Sequence, residues 1–377
     1  MTLRFLSRAK RISRSILQNL GLAKTTSEEA LAFRRMRLAT QVALTSSQAK
    51  VGIVGCGTMG RDIARAVNML DGWVVAAVHD RIPDASRKMR EEISPTAKIY
   101  ATLDDLLTHA CEYDVLAIAT TAPGHIPIVF AALDAGVRTI LLEKPVATCL
   151  ADVDELISVA GEPSITRIAV DHTRRWLPMG QGIKRLVSSG VIGKPCVAHF
   201  TFGRAGLAMI GTHYFDFARW IFDADFARLR SELDEIVRPS WRGSEFVDLS
   251  GRCEAYLSNG IRFTLDLSDS LRLQQAVYLI IGEHGRLEID ERLGRIRMVG
   301  AGGRIWEDQY LWQGALKLGV ATALYELHAG KSPRCTLADG RASLEAVIAC
   351  HLSAREGGRW VELPLEGKIL EERFPFA

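Results

Sequence analysis

From Lys50 to Asp80 the chain runs through an apolar segment, a glycine-spaced turn, an amphipathic segment and a β-branched segment that ends in an acid. KVGIVG, ending at Gly55, reads as a short buried strand. Gly55-Cys-Gly-Thr-Met-Gly60 follows with G-x-G-x-x-G spacing, and Met59, Ile63, Val67 and Leu70 recur at helical spacing across Thr58–Leu70. WVVAAVHD, Trp73–Asp80, is a second strand. Glycine spacing alone is a weak signal, but between a strand and a helix it dictates a strand–turn–helix–strand unit. Gly55 then makes the tight turn, Gly57 lets backbone approach a pyrophosphate, and Gly60 lets helix and strand pack closely. Thr58 and Met59 open the helix, whose first N–H groups and positive dipole end suit phosphate oxygens. Asp80, 20 residues after Gly60, stands where a carboxylate accepts from both hydroxyls of a ribose. A carboxylate there disfavours a 2′-phosphate, so NAD is the expected cofactor, while Arg81, Arg87 and Lys88 keep NADP open.

The alternation continues. Thr102 opens TLDDLLTHA with Asp105 three residues on, a capping-box-like start. Asp114–Thr120 is a buried strand, Ile126–Leu133 a helix, Arg138–Glu143 a strand, Asp152–Val159 a helix and Ile165–Asp171 a strand. Strands alternating with helices imply a doubly wound parallel sheet. Past a helix at Gly182–Val187 the period changes. From Val197 to about Met298 the strands alternate apolar and polar residues, with an Asn259–Gly260 hairpin signal and one helix at His213–Phe222. A helix over Gly340–Arg355 and the strand WVELPL close the chain. The expected fold is α/β, with an N-terminal Rossmann domain over 49–171. An α+β domain over 172–377 follows, built on a large, mostly antiparallel open sheet, its C-terminal helix returning toward the first domain. At 377 residues the chain has room for two such cores.

Residues 1–48 stand apart. They hold nine Lys/Arg against two Glu, whereas the whole chain nets only +3. The body is therefore slightly acidic, and nucleic-acid binding is not expected. In residues 1–21 Leu3, Phe5, Leu6, Ile12, Ile16 and Leu20 interleave with Arg and Lys, without the unbroken apolar run of a secretory signal. Three readings stay open for this extension: a partner-docked or solvated arm, a membrane-surface helix, and an organelle transit peptide. No apolar run approaches the roughly 20 residues of a membrane span. The seven cysteines are dispersed, with no C-x-x-C pair and no Cys/His cluster. They point to reduced thiols in the cytoplasm and to no metal site.

Glu143-Lys144-Pro145 stands where the strand RTILLE stops. Proline cannot continue a central strand, which leaves Lys144 at the carboxyl edge of the sheet, where doubly wound folds bind ligands. A glycine-rich strand–helix turn followed by E-K-P resembles the glucose–fructose oxidoreductase, inositol dehydrogenase and rhizopine-catabolism (Gfo/Idh/MocA) family. DHTRRWLPMGQGIKRLVSSGVIGKP resembles that family's entry into the second domain. GTHYFDFARWI resembles its G-x-H-x-x-D helix, IGEHGRLEID its G-x-x-G turn, and ADGRASLEAVIACHLSAREGG its closing helix. The resemblance covers about residues 50–365.

The resemblance implies hydride transfer between nicotinamide and a carbinol or carbonyl carbon of a sugar, nucleotide sugar or cyclitol. It makes Lys144 and His213 the catalytic pair: the lysine binds the substrate hydroxyl and the imidazole serves as acid/base. Burial beside a cationic nicotinamide would lower the ammonium's pKa. Asp171 and His172 are expected to line the same pocket. Arg174 and Arg175 either hold an anionic part of the substrate or pair with acids at the domain junction. Thr120, His125 and Glu143 are expected beside the nicotinamide. One departure stands out: the family's acid one helical turn before the histidine is Met209 here, and a thioether cannot fix an imidazole tautomer. Asp171 or Asp216 takes over, or the catalytic arrangement is altered. A dinucleotide-binding sensor without turnover is the alternative that Met209 favours. The family also implies a homo-oligomer, a dimer or tetramer.

Overall fold

A computed structural model describes residues 48–162, 164–234, 242–271, 276–310 and 315–377. The basic extension before residue 48 lies outside the described residues. Two sheets organise the rest.

The first has six strands: β1 (Ala49–Val54), β2 (Trp73–His79), β3 (Lys98–Ile99), β4 (Val115–Ile118), β5 (Thr139–Leu142) and β6 (Arg167–Val170). Their order is β3-β2-β1-β4-β5-β6, and every pairing is parallel. All four residues of β4 and of β5 are buried. That continuous apolar character, without alternation, is what a strand covered on both faces needs. The covering helices are α1 (Thr58–Val67), α2 (Pro83–Glu92), α3 (Leu103–Thr108), α4 (Ala122–Asp134) and α5 (Leu150–Ala160). The strand order reverses between β1 and β4, and such a switch point opens a crevice at the carboxyl ends of the strands.

The second sheet has nine strands: β7 (Pro195–Thr201), β8 (Phe226–Leu233), β9 (Gly251–Leu257), β10 (Arg262–Asp266), β11 (Val277–Gly282), β12 (Gly285–Asp290), β13 (Arg295–Gly300), β14 (Ile305–Gln309) and β15 (Val361–Glu362). Their order is β14-β13-β12-β11-β7-β10-β9-β8-β15. Only the β7–β10 pair is parallel among the described residues. The hairpin signal falls where expected: β9 and β10 pair antiparallel, and Gly260 turns between them at φ +87°. Alternation sorts the faces. Ala198, Phe200, Phe263 and Leu265 are buried, while His199 and Arg262 between them are exposed. Phe200 packs its ring against Tyr214, Phe217, Phe263 and Tyr278 at centroid distances of 4.6–6.4 Å.

Four helices complete the fold: α6 (Pro178–Ser188), α7 (Thr212–Phe222), α8 (Ala315–His328) and α9 (Leu337–Arg355). The sequence reading lacked α8, whose buried residues Val320, Ala321, Ala323, Leu324 and Leu327 leave no polar face to mark a period. It also placed the start of α4 at Ile126, four residues late. Helix α9 opens with a full capping box between Thr336 and Asp339. Its Gly340 lies against β6, where a Cβ would come within 2.9 Å of Val170. Directly before α7, Leu207–Gly211 forms a π-helical turn, closed by Gly211 N–H donating to the Gly206 carbonyl. The last residues fold back beside it: Phe374 N–H donates to Thr148 O, Val247 N–H to Pro375 O, and Arg242 Nη1 to Ala377 O. All seven cysteines are free.

Candidate active site

The three glycines of the turn divide into two kinds. Gly55 has φ +95°, and a Cβ on it would lie 2.5 Å from the Ala119 carbonyl oxygen. A Cβ on Gly60 would lie 1.9 Å from the carbonyl oxygen of Gly55. Packing of the chain itself requires both. Around Gly57 a Cβ would meet nothing within 4 Å, so the space above it is open. Gly57 caps α1 without a side-chain hydrogen bond, and no acid occupies the first turn at Thr58, Met59 and Gly60. Helices α3 and α9, by contrast, are capped by Thr102 and Thr336. An uncapped helix N-terminus under open space fits the pyrophosphate of a dinucleotide.

Asp80 follows β2 beside this turn. Its Oδ2 accepts from Cys56 N–H at 2.7 Å and its Oδ1 from Ile82 N–H at 2.8 Å. Backbone thus fixes the carboxylate and leaves it lone pairs for ribose hydroxyls. Arg87 and Lys88 are both engaged by Asp84, and Arg81 is exposed. A dinucleotide bearing a free 2′-hydroxyl suits this arrangement.

Lys144, Glu143 and Asp171 come together at the carboxyl ends of β5 and β6. Lys144 is buried, and its Nζ donates to the Met209 carbonyl oxygen at 2.6 Å. This bond ties the edge of the first sheet to the π turn that leads into α7. His213 lies one helical turn beyond Met209 and is half-buried. Burial and then the charge of Lys144 hold its pKa well below the usual imidazole range, so the ring is neutral. His172 sits edge-on to it, with ring centroids 5.3 Å apart, and burial pushes it down to about 4. Burial likewise lowers the Lys144 ammonium, against the pull of Glu143. Glu143 is raised to about 8 by burial and by Asp171, which burial raises in turn. Two buried carboxyls near one another disfavour a second negative charge.

Among the described residues, eight buried side-chain polar atoms have no hydrogen-bond partner. Five belong to this cluster: Glu143 Oε1, Asp171 Oδ2, both ring nitrogens of His172, and His213 Nδ1. Buried polar atoms are almost always satisfied, so a concentration of exceptions marks a place built for something else.

Of the two readings open for Arg174 and Arg175, pairing with acids is the one found, and the expectations for Asp216 and His125 need correction. Arg174 is not available to an anionic substrate. It is buried in a bidentate pair with Glu291 (2.8 and 2.9 Å) and also donates to Tyr214 and Tyr278. Arg175 is likewise consumed by Asp216 (2.7 and 2.9 Å), the Arg334 carbonyl and Asp339. Asp216 consequently faces Arg175 and is not the acid that replaces Met209. The potential ligand atoms of His172, Asp216 and Cys335 lie within 4.8 Å of one another, yet both Asp216 oxygens already accept from a guanidinium, which repels a cation. His125 is fully buried, with Nδ1 2.9 Å from Pro145 O and Nε2 3.2 Å from Thr120 O. Both ring nitrogens face backbone carbonyls of the loops after β4 and β5, the neutral ring donating to one of them, and neither is presented to a pocket. Thr120 Oγ1 donates to the Thr121 carbonyl at 3.3 Å.

Sequence reasoning missed Asp248 and Arg242. Asp248 accepts from the N–H groups of Ala208 and Met209, each at 2.8 Å, and the Arg242 charge acts on both Glu143 and Lys144. Neither residue lies on a regular element, so no periodicity announces them; an acid downstream of the Met209 departure was the only available cue.

The model of an oxidoreductase family with an NAD-binding Rossmann fold matches residues 49–172. Inositol 2-dehydrogenase of Serratia proteamaculans is 25% identical over 84% of this chain and 96% of its own. D-apiose dehydrogenase of Paraburkholderia graminis is 28% identical over 88% of this chain and 93% of its own. A levoglucosan dehydrogenase, solved in complex with NADH and levoglucosan, superposes with a TM-score of 0.73 at 19% identity, covering 84% of this chain and all of that one. These relatives are named as dehydrogenases, and they give the non-catalytic alternative no support.

Proposed function

We propose that this chain, whose residues 49–172 match the Gfo/Idh/MocA model of NAD-binding oxidoreductases, acts as a member of that family and interconverts a CH–OH group and a carbonyl on a sugar, nucleotide sugar or cyclitol. The observation that carries this reading is the bond from Lys144 Nζ to Met209 O, at the centre of the cluster of unpartnered buried groups.

Gly57, the first turn of α1 and Asp80 would hold NAD, which when bound supplies the hydride acceptor. The rest of the chemistry falls to side chains. In the oxidation direction a neutral Lys144 Nζ takes the proton of the substrate hydroxyl; its burial makes the neutral amine accessible near physiological pH. Neutral His213 steadies the same hydroxyl or its neighbour through a ring nitrogen. Lys144 must shed that proton before the next oxidation, and the Glu143 and Asp171 carboxyls, whose charge acts on it, are placed to take it up. Exclusion of water follows from the burial of Lys144, Asp171 and His172.

Lys144→Ala tests the assignment. Turnover should fall by about 10²–10⁴, the usual worth of a positioned proton-transfer group, across a panel of cyclitols, aldoses and nucleotide sugars. NADH binding, followed by its fluorescence, should change little. A variant with undiminished turnover removes Lys144 from the mechanism.

The exposed face of the second sheet, where His199 and Arg262 lie, supports assembly of two or more copies, which sedimentation equilibrium would measure. A cytoplasmic location and a docking role for residues 1–21 belong to the same proposal. Among the described residues no helix is long and apolar enough to cross a membrane.

A further inference from the structure

Met209 removes a side-chain acid from the turn before His213, yet a half-buried carboxylate still reaches that turn from elsewhere. Asp248 Oδ1 and Oδ2 accept from Ala208 N–H and Met209 N–H at 2.8 Å each. The carbonyl of the same Met209 accepts from Lys144 Nζ. We propose that Asp248 is a positioning residue of the reaction: by gripping the Ala208–Met209 backbone from one side it fixes the carbonyl that aims Lys144 from the other.

Three features of the fold suit this role. The grip falls inside the π-helical turn Leu207–Gly211, a conformation of poor intrinsic stability that tends to occur at functional sites. The residue before it is Gly206, where a Cβ would come within 2.0 Å of Asp248 Oδ2; the carboxylate occupies the space that any larger residue would fill. Asp248 is also electrically coupled to the lysine. Its charge favours the Lys144 ammonium, and the ammonium in turn favours the carboxylate. The charged and titratable groups around Lys144 are then Glu143 and Asp171 at the strand ends, His125, His172 and His213, and Arg242 with Asp248. Among them Asp248 alone acts on both the charge and the direction of the amine.

This inference rests on Lys144 acting as the proton-transfer group, and the experiment separates the two. Full-length protein and the variants Asp248→Asn, Asp248→Glu and Gly206→Ala are compared by the pH dependence of Lys144 reductive methylation, read by mass spectrometry. NADH binding and turnover of myo-inositol as the probe polyol are measured alongside. Asp248→Asn loses the charge and sets an amide N–H₂ against a backbone N–H, so the Lys144 titration should move to lower pH. Methylation at neutral pH should quicken at least about threefold, the rate following the neutral fraction of the amine. Gly206→Ala keeps the charge but displaces the carboxylate, so it should lower kcat with a smaller displacement of the titration. Asp248→Glu should restore both in part. NADH affinity should hold throughout, because none of these residues lies in the glycine turn. An unchanged Lys144 titration in both Asp248→Asn and Gly206→Ala overturns the proposal. If those two variants leave turnover intact while Lys144→Ala abolishes it, the role of Lys144 survives and that of Asp248 does not. If Asp248→Asn fails to fold, Gly206→Ala decides alone.

Discussion

Two glycines three residues apart do different work in this chain, and their substitutions should separate cofactor binding from folding. A Cβ on Gly60 would overlap the Gly55 carbonyl, so Gly60→Ala should lower stability by several kcal/mol, on the order of other core overpacking defects, as read by denaturant unfolding. A Cβ on Gly57 has open space. Gly57→Val should therefore leave the unfolding midpoint nearly unchanged while weakening NADH binding at least about tenfold, since the branched side chain would stand where a pyrophosphate must approach. The motif as a string gives no hint of this division. The roles of Gly55 and Gly60 were legible because they follow from strand–helix geometry. The identity of the acid near Met209 was not, because Asp248 reaches it from 39 residues away in sequence on a stretch without period.

At the scale of elements, the segment His172–Trp176 shows how a charged run can read either way. Thr173–Trp176 is a single 3₁₀ turn, all of it buried, between the first sheet and α6. Arg174 crosses to Glu291 just beyond β12, and Arg175 to Asp216 on α7 and Asp339 on α9. Two adjacent arginines thus tie the turn to three separate elements of the far lobe. Breaking one buried pair leaves an uncompensated charge, so Arg174→Met should cost about 3–5 kcal/mol, measured by chemical denaturation, with a far smaller effect on the KM of whichever polyol is turned over. An effect on KM with stability intact would return Arg174 to the substrate site. Sequence supplied the two alternatives but not the choice, which depends on partners at least 41 residues distant. Five strands of the first sheet were legible, because burial on both faces writes an unbroken apolar run, whereas the two-residue β3 and the helix α2 before it were not called. Helix α8 was not, because burial on several sides erases the period by which helices are found.

For the whole molecule, buried histidines link stability to acidity. His125, His172 and His351 are each pushed down to about 4 by burial. The unfolded chain takes up protons near its ordinary imidazole pKa, whereas the folded chain refuses them until about 4. Each of these residues therefore contributes stability that is present above about pH 6.5 and is lost as the pH falls toward 4. Glu143 and Asp248, held up at about 8 and about 6, run the other way, because folded protein keeps protons that the unfolded chain releases as pH rises. A difference measurement isolates one contribution. His351 packs against Phe374 and Phe376 at 5.7 and 5.3 Å. His351→Phe should gain on the parent by on the order of 3 kcal/mol between pH 7 and pH 4, followed by urea unfolding at each pH. Parallel losses in parent and variant would show that this imidazole ionises freely in the folded state.

The π turn ahead of α7 holds one residue more than an ordinary helical pitch accommodates. Successive residues of an α-helix step about 100° around its axis, so deleting a single residue from this stretch would swing every peptide group upstream of the deletion by that angle. The amine of Lys144 would then meet a side chain or empty space where a carbonyl now stands. The surplus residue acts as a frame marker for the carbonyl that Lys144 meets.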